Sequence, residues 1–305
     1  MNINMLDFDR RATMRFNIFL DKFLESIAYY SPAVIVWCFV TIRATVTRII
    51  YDDYKRWQTP FVPFSLFELK KSPDFELICI FQLYCLTIFA SIIASIDLLI
   101  VGFIVHIKTQ LEMLRNSIQR IILDAATSAK NDGYSVDFDD PSTIPKNHLD
   151  MVLKKIVIYH HAIINLAYEF EEQFNLLILT VFLANTPILC FSMYHASLYP
   201  ITNEQSIQDF MFMSAITTQV FLYCYWGNEL ALESQKVAST CYEINFVGAH
   251  ISFQKSLVII IQRSQKPIEI TAGKFTRLTL MTFVGMLRLS YSYYMVLRTS
   301  SDLTD

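Results

Sequence analysis

The sequence predicts an all-α fold, a polytopic helical membrane protein, and three observations carry that prediction. The chain has 305 residues, of which 53% are hydrophobic and only 17% charged, where a soluble domain carries roughly 25% charge. The charge is also unevenly placed: residues 77–96, 173–203 and 210–228 carry none. Finally, these runs reach the length of about 20 mainly apolar residues that a helix needs to cross a hydrocarbon core of roughly 30 Å. Soluble helices alternate polar and apolar faces and rarely sustain such runs. With mean hydropathy of +0.36 and only 6 Gly and 9 Pro, the chain is neither disordered nor collagen-like. A net charge of −3 gives no electrostatic footprint for nucleic acid.

Five spans follow in order. The first covers about 28–50, an uncharged run over 26–42 extended across Arg43 and Arg48. The second covers 77–107, interrupted only by Asp97. The third, 174–198, lies within the charge-free run 173–203, the fourth, 208–229, is built on the charge-free run 210–228, and the fifth, 278–298, contains Arg288. The start, MNINMLDFDRRATMRF, is polar and lacks the apolar core of a cleavable signal, so the first span is expected to direct insertion. Lys and Arg set the orientation. The connection 199–207 has none, 108–173 has seven and 230–277 has six. This places the N-terminus, 108–173 and 230–277 inside, and 52–76, 199–207 and the C-terminus outside. The chain then divides into 1–107 with two spans and an outer loop, 108–173 inside, 174–229 with two spans, 230–277 inside, and 278–305 with the last span.

The inside connections read as helices. Leu149, Val152, Leu153, Ile156, Ile163, Ala167, Phe170 and Phe174 recur at helical spacing and run straight into the third span. Leu111, Leu114, Ile118, Ile121 and Ile122 do the same after the second. Both apolar faces need partners, and an inside helical bundle supplies them. Residues 129–147, rich in Asp, Ser and Pro, read as a flexible loop. Its Asp137, Asp139 and Asp140 resemble the start of a calcium loop but lack the glycine and glutamate that follow in one, which leaves a solvated acidic loop as the alternative. An inside helix over about 244–264 and a last helix over about 275–299 flank Pro267 and Gly273, which break the pattern, with Thr271 as a candidate cap.

No catalytic signature is present, so no enzyme is expected and no cofactor or metal is implied. His160 and His161 are adjacent and diverge by about 100° on a helix, which suits a bundle surface better than a shared metal. The six cysteines lie in or beside apolar segments without metal-site spacing and read as buried small hydrophobes. Asp97, deep in the second span, is either a functional acid, as in a transporter, or a partner for a neighbouring helix. Thr282, Gly285, Leu289, Ser292, Val296 and Thr299 form one stripe of the last helix. Such a stripe either packs closely on a neighbour or lines a water-filled path. The outer halves of the spans carry Phe81, Tyr84, Phe89, Met193, Tyr194, Met211, Phe212 and Met213, which suit an apolar ligand or plain packing.

The stretch GKFTRLTLMTFVGMLRLSYSYYMVLR over 273–298 resembles the C-terminal signature of the insect odorant receptors. Gln219, YCYWGNEL over 223–230, Ser234, Cys241-Tyr242, RSQKPIEITAG over 263–273 and the helix bearing His160, Glu171 and Phe174 share the resemblance, while Phe246 stands where the family usually has Trp. The resemblance implies a ligand-gated, non-selective cation channel of four subunits, this chain being an odorant-tuning subunit that assembles with a shared co-receptor in the plasma membrane of the olfactory neuron dendrite. Arg288, Arg298 and the Ser290-Tyr291 pair favour that branch over the co-receptor and the gustatory receptors. It implies that the stripe lines the pore, with Val296 as the hydrophobic gate, and that the inside helices form the anchor domain. A small volatile ligand is expected to meet Thr41, Thr45, Phe81, Tyr84, Ile88, Met211 and Phe212. The family has seven spans. Aligned from the C-terminus, the five here correspond to its last five, so the chain is expected to represent a form without the first two, with a non-conducting product as the alternative.

Overall fold

The computed structural model describes residues 74–138, 140–200 and 204–302. The first expected span, with Thr41 and Thr45, lies outside the described residues, as do Cys38 and Asp139. Six helices and one small hairpin make up the rest: α1 (Asp74–Gln119), α2 (Ile121–Asn131), a 3₁₀ turn (Pro141–Thr143), α3 (Lys146–Ser197), α4 (Glu204–Glu243), α5 (Ile251–Ser264), β1 (Thr271–Ala272), β2 (Thr276–Arg277) and α6 (Leu280–Asp302).

Length decides how these helices relate to a bilayer. At 1.5 Å per residue, α1 with 46 residues and α3 with 52 are roughly 70 and 80 Å long, more than twice the hydrocarbon thickness. Each is apolar enough to contain a crossing segment, and each continues well past one. By contrast α6, with 23 residues, is about 35 Å long and matches a single crossing. Side-chain hydroxyls on α1 are satisfied within the helix: Thr87, Ser91 and Ser95 donate to the carbonyls of Leu83, Thr87 and Ser91 at 2.7–2.8 Å. Satisfied in this way, they sit on an exposed face without leaving a polar group unpaired.

The described chain resolves into two compact units, divided near Gly102, Pro187, Gln219 and Ser290. In the unit formed by 103–187 and 220–290, the expected apolar stripes meet. Leu111, Leu114, Ile118 and Ile121 from α1 and α2 are fully buried or nearly so, as are Leu149, Ile163, Ala167 and Phe170 of α3. Tyr223, Leu230, Val237 and Cys241 of α4 and Phe253, Leu257 and Ile260 of α5 complete this core. Burial pushes the Cys241 thiol up to about 11, because the thiolate has no water to solvate it. A row of charges edges the core between α1 and α4. Lys108 donates to Glu229 at 3.2 Å and lies over the Trp226 ring. One helical step on, Arg115 meets the buried Glu233 at 2.9 Å, and Lys236 meets it at the same distance.

Several expectations change. The loop 129–147 shrinks, because α2 runs to Asn131 and α3 starts at Lys146. What remains is tied down: Thr143 Oγ1 donates to the Asp140 carbonyl and accepts from the Asp137 backbone N–H. Asp140 caps the 3₁₀ turn by accepting from Ser142 N at 2.9 Å, and the Ser142 side chain, followed by this backbone bond, holds its carboxyl below the usual range. The α4 helix continues to Glu243, and the inside helix begins at Ile251 rather than 244, capped by His250 Nδ1 accepting from Ser252 N. The last helix begins at Leu280. Its cap is Thr279, whose hydroxyl accepts from Thr282 N, whereas Thr271 is a strand residue that donates to Glu171. Four of the five described cysteines are buried, but Cys85 is exposed. His160 is buried and only His161 lies on the surface, so the bundle-surface reading holds for one of the pair.

Candidate functional site

The last helix is held by one face and exposes the other. Met286 and Ser290 are buried, and Ser290 Oγ donates to the Thr186 carbonyl of α3 at 3.2 Å. Phe283 packs edge-on against Phe221 of α4 with centroids 5.5 Å apart. The predicted stripe faces elsewhere. Leu289 is 47% and Val296 65% exposed. Ser292 and Thr299 are exposed, Thr282 is half-buried, and a methyl placed on Gly285 would meet nothing within 4 Å. Among the described residues, the stripe is exposed from Gly285 onward.

What fixes α6 in this attitude is the connector before it. Ile268 N donates to Ser234 Oγ at 2.9 Å, Thr271 Oγ1 donates to the Glu171 carboxylate, and Gly273 N donates to the Asn175 carbonyl at 2.9 Å. The hairpin therefore docks on α3 and α4 before α6 begins. Two glycines permit this. Gly273 has φ +61°, and a Cβ there would lie 2.5 Å from Leu179 Cδ2. A Cβ on Gly227 would lie 2.6 Å from Leu278 Cβ and 2.8 Å from its carbonyl oxygen, so only glycine lets α4 touch the approach to α6. Sequence reasoning singled out Glu171, Ser234 and Gly273. It missed Asn175 and Thr279, and it gave no contact role to Gly227: Asn175 and Gly227 meet residues about a hundred and about fifty positions on, and Thr279 caps only because the docked hairpin sets where α6 starts.

The candidate ligand residues are placed differently. Phe81, Tyr84 and Ile88, at spacings of three and four, share one face of α1 and are 66%, 64% and 42% exposed. Met211 is half-buried and Phe212 is 43% exposed on α4. No ring contact joins the two groups among the described residues. Asp97 is buried at 5% exposure and accepts from Gln219 Nε2 at 2.8 Å. This interhelical bond fits the reading of Asp97 as a partner for a neighbouring helix. One pair was not anticipated: His195 Nδ1 lies 2.6 Å from Asp209 Oδ2, across the turn between α3 and α4.

A family model described as 7tm odorant receptor matches residues 7–291. Among curated relatives, the chain is 30% identical over 148 residues to putative odorant receptor 92a of Drosophila melanogaster, covering 48% of this chain and 36% of that one. It is 25% identical to Drosophila melanogaster odorant receptor 85f over 75% of this chain and 54% of that one. It is 31% identical to odorant receptor 10 of Aedes albopictus over 49% and 40%. The chain thus spans about a third to a half of the length of these relatives. The fold is similar to that of the insect olfactory receptor OR5 from Machilis hrabei, solved in complex with eugenol, with a TM-score of 0.70 at 16% identity, covering 95% of this chain and 69% of that one. With the family model spanning nearly all of its length, the chain belongs to the 7tm odorant receptor family of membrane proteins, which are receptors and not enzymes.

Proposed function

We propose that this chain is an odorant-tuning subunit of a ligand-gated, non-selective cation channel that assembles with a co-receptor as a hetero-tetramer. The observation that carries the reading is the last helix. It is held by Phe283, Met286 and Ser290 and leaves Gly285, Leu289, Ser292, Val296 and Thr299 uncovered. A helix that long and that weakly charged, with small and hydroxyl residues left exposed, is suited to face a shared axis and a water-filled path. In this reading Thr282 to Thr299 line the pore and Val296 narrows it. The N-terminus is cytoplasmic and the C-terminus extracellular, in the plasma membrane of the olfactory neuron dendrite. A small volatile ligand meets Phe81, Tyr84, Ile88, Met211 and Phe212, together with Thr41 and Thr45, in the outer half of the spans. Exposed aromatic and thioether side chains offer apolar area with few fixed polar demands, which suits such ligands.

Co-expression with the co-receptor in a cell line tests this. Odorant-evoked cation current is expected, and Val296→Ala is expected to alter its conductance or basal level. Silence across a broad volatile panel, with surface expression verified, overturns the reading.

A further inference from the structure

The hairpin before the last helix carries a feature that the receptor reading does not use. Phe275 is 88% exposed, the largest exposure of any large apolar side chain among the described residues. It follows Lys274, the one described non-glycine residue with positive φ, at 63°. Gly273 and Lys274 are the central residues of a tight turn closed by Phe275 N donating to the Ala272 carbonyl at 3.2 Å, with both φ values in the range of a type I′ turn. A lysine in the left-handed region is strained relative to glycine or asparagine. The chain thus holds an unfavourable backbone at the position that presents a cation beside an exposed phenyl ring.

The height of this tip is set by its fastenings. Gly273 N bonds the carbonyl of Asn175, two residues into the charge-free run 173–203. On the other side Leu278 opens the uncharged stretch 278–287, and α6 starts at Leu280. The tip therefore stands where two helices enter their apolar runs. Lys274 has no carboxylate within ion-pair distance among the described residues, while Arg277 is paired with Glu269 at 3.0 Å and remains largely exposed.

We infer that this hairpin tip is a membrane-interface anchor, with the Phe275 ring in the headgroup–acyl boundary and Lys274 on the anionic headgroups of the cytoplasmic leaflet. The leaflet assignment rests on the topology proposed above. An aromatic ring flanked by basic residues is the combination that partitions to this boundary, and the cytoplasmic leaflet supplies the anionic lipid. A neighbouring subunit covering the tip is the competing outcome.

The test is fluorescence quenching on the full chain reconstituted into vesicles of phosphatidylcholine and phosphatidylglycerol. Phe275→Trp adds an indole at an exposed position, and its emission is read as the difference from the parent protein. Phe275→Cys labelled with bimane, read as the difference from the parent protein labelled in the same way because Cys85 is exposed, gives the same reading if the indole is not accommodated. The added emission is expected to be quenched by lipid brominated near the headgroup and protected from aqueous iodide. Lys274→Asn, which suits the left-handed turn, is expected to lower the preference for brominated phosphatidylglycerol over phosphatidylcholine about fivefold. Quenching by iodide and not by lipid places the tip in water and overturns the inference. Quenching by neither places it against protein and overturns it as well. The measurement needs neither odorant nor current. A silent receptor with a lipid-quenched tip leaves this inference standing, and a conducting receptor with an iodide-quenched tip removes it alone.

Discussion

At the scale of single residues, buried polar groups join helices in pairs. Asp97 and Gln219 satisfy one another between two helices, and Glu233 holds Arg115 and Lys236 together at the edge of a core. Gly227 has the opposite task of being absent: its missing Cβ is the space that Leu278 fills. Gly227→Ala is expected to push α4 from the approach to α6 and to cost about 1–3 kcal/mol, the range of an overpacked core. A thermal unfolding series in detergent, followed by size-exclusion chromatography, checks it. An unchanged midpoint would mean that the helices separate without cost. Gly227 lies in plain view within YCYWGNEL, yet no spacing rule identifies the residue it must admit fifty positions later.

At the scale of elements, α6 has two faces with different consequences. Met286 is 7% exposed and Leu289 is 47% exposed, three residues apart. Met286→Ala is expected to lose about 2–3 kcal/mol, toward the low end for truncating a buried large side chain. Leu289→Ala is expected to stay within about 1 kcal/mol, as most exposed changes do, while changing single-channel conductance or basal current. Paired thermal and patch-clamp measurements on the two variants separate the faces; a Leu289 variant that melts early and conducts normally would assign the stripe to packing. The periodic stripes of α1 and α3 were legible in the sequence because every Leu, Ile and Phe at helical spacing falls on one side. Helix ends were less so. Thr271 looked like a cap, but Thr279 is the residue whose hydroxyl the first turn of α6 meets. A hydroxyl caps whichever helix the tertiary contacts start beside it, and the hairpin docked on Asn175 moves that start.

At the scale of the molecule, the unit built from 103–187 and 220–290 has a buried core of its own. Cys241 reports on it. Buried and raised to about 11 from an ordinary value of 9.0, its thiol carries almost no thiolate near neutral pH. The Cys241 peptide is expected to escape maleimide labelling at pH 7.5 in folded protein and to be labelled after denaturation, as read by mass spectrometry. The sign for stability follows: the folded state holds this proton more tightly than the unfolded one. The contribution is therefore complete below about pH 9 and is lost as pH rises toward 11. Rapid labelling of native protein would mean that this unit opens locally rather than with the whole.

Composition and charge spacing alone determined that this is a helical membrane protein whose helices outrun the bilayer. Burial in hydrocarbon and burial in a bundle both demand apolar residues at helical period, and that demand is local in sequence. The C-terminal motifs added the family resemblance. Only the tertiary structure decided which face of α6 is held and which is left open, that Asp97 meets Gln219, and that His160 is buried while His161 is not. The first two rest on contacts between residues from about sixty to more than a hundred positions apart, and periodicity places a residue on a face without saying what that face meets.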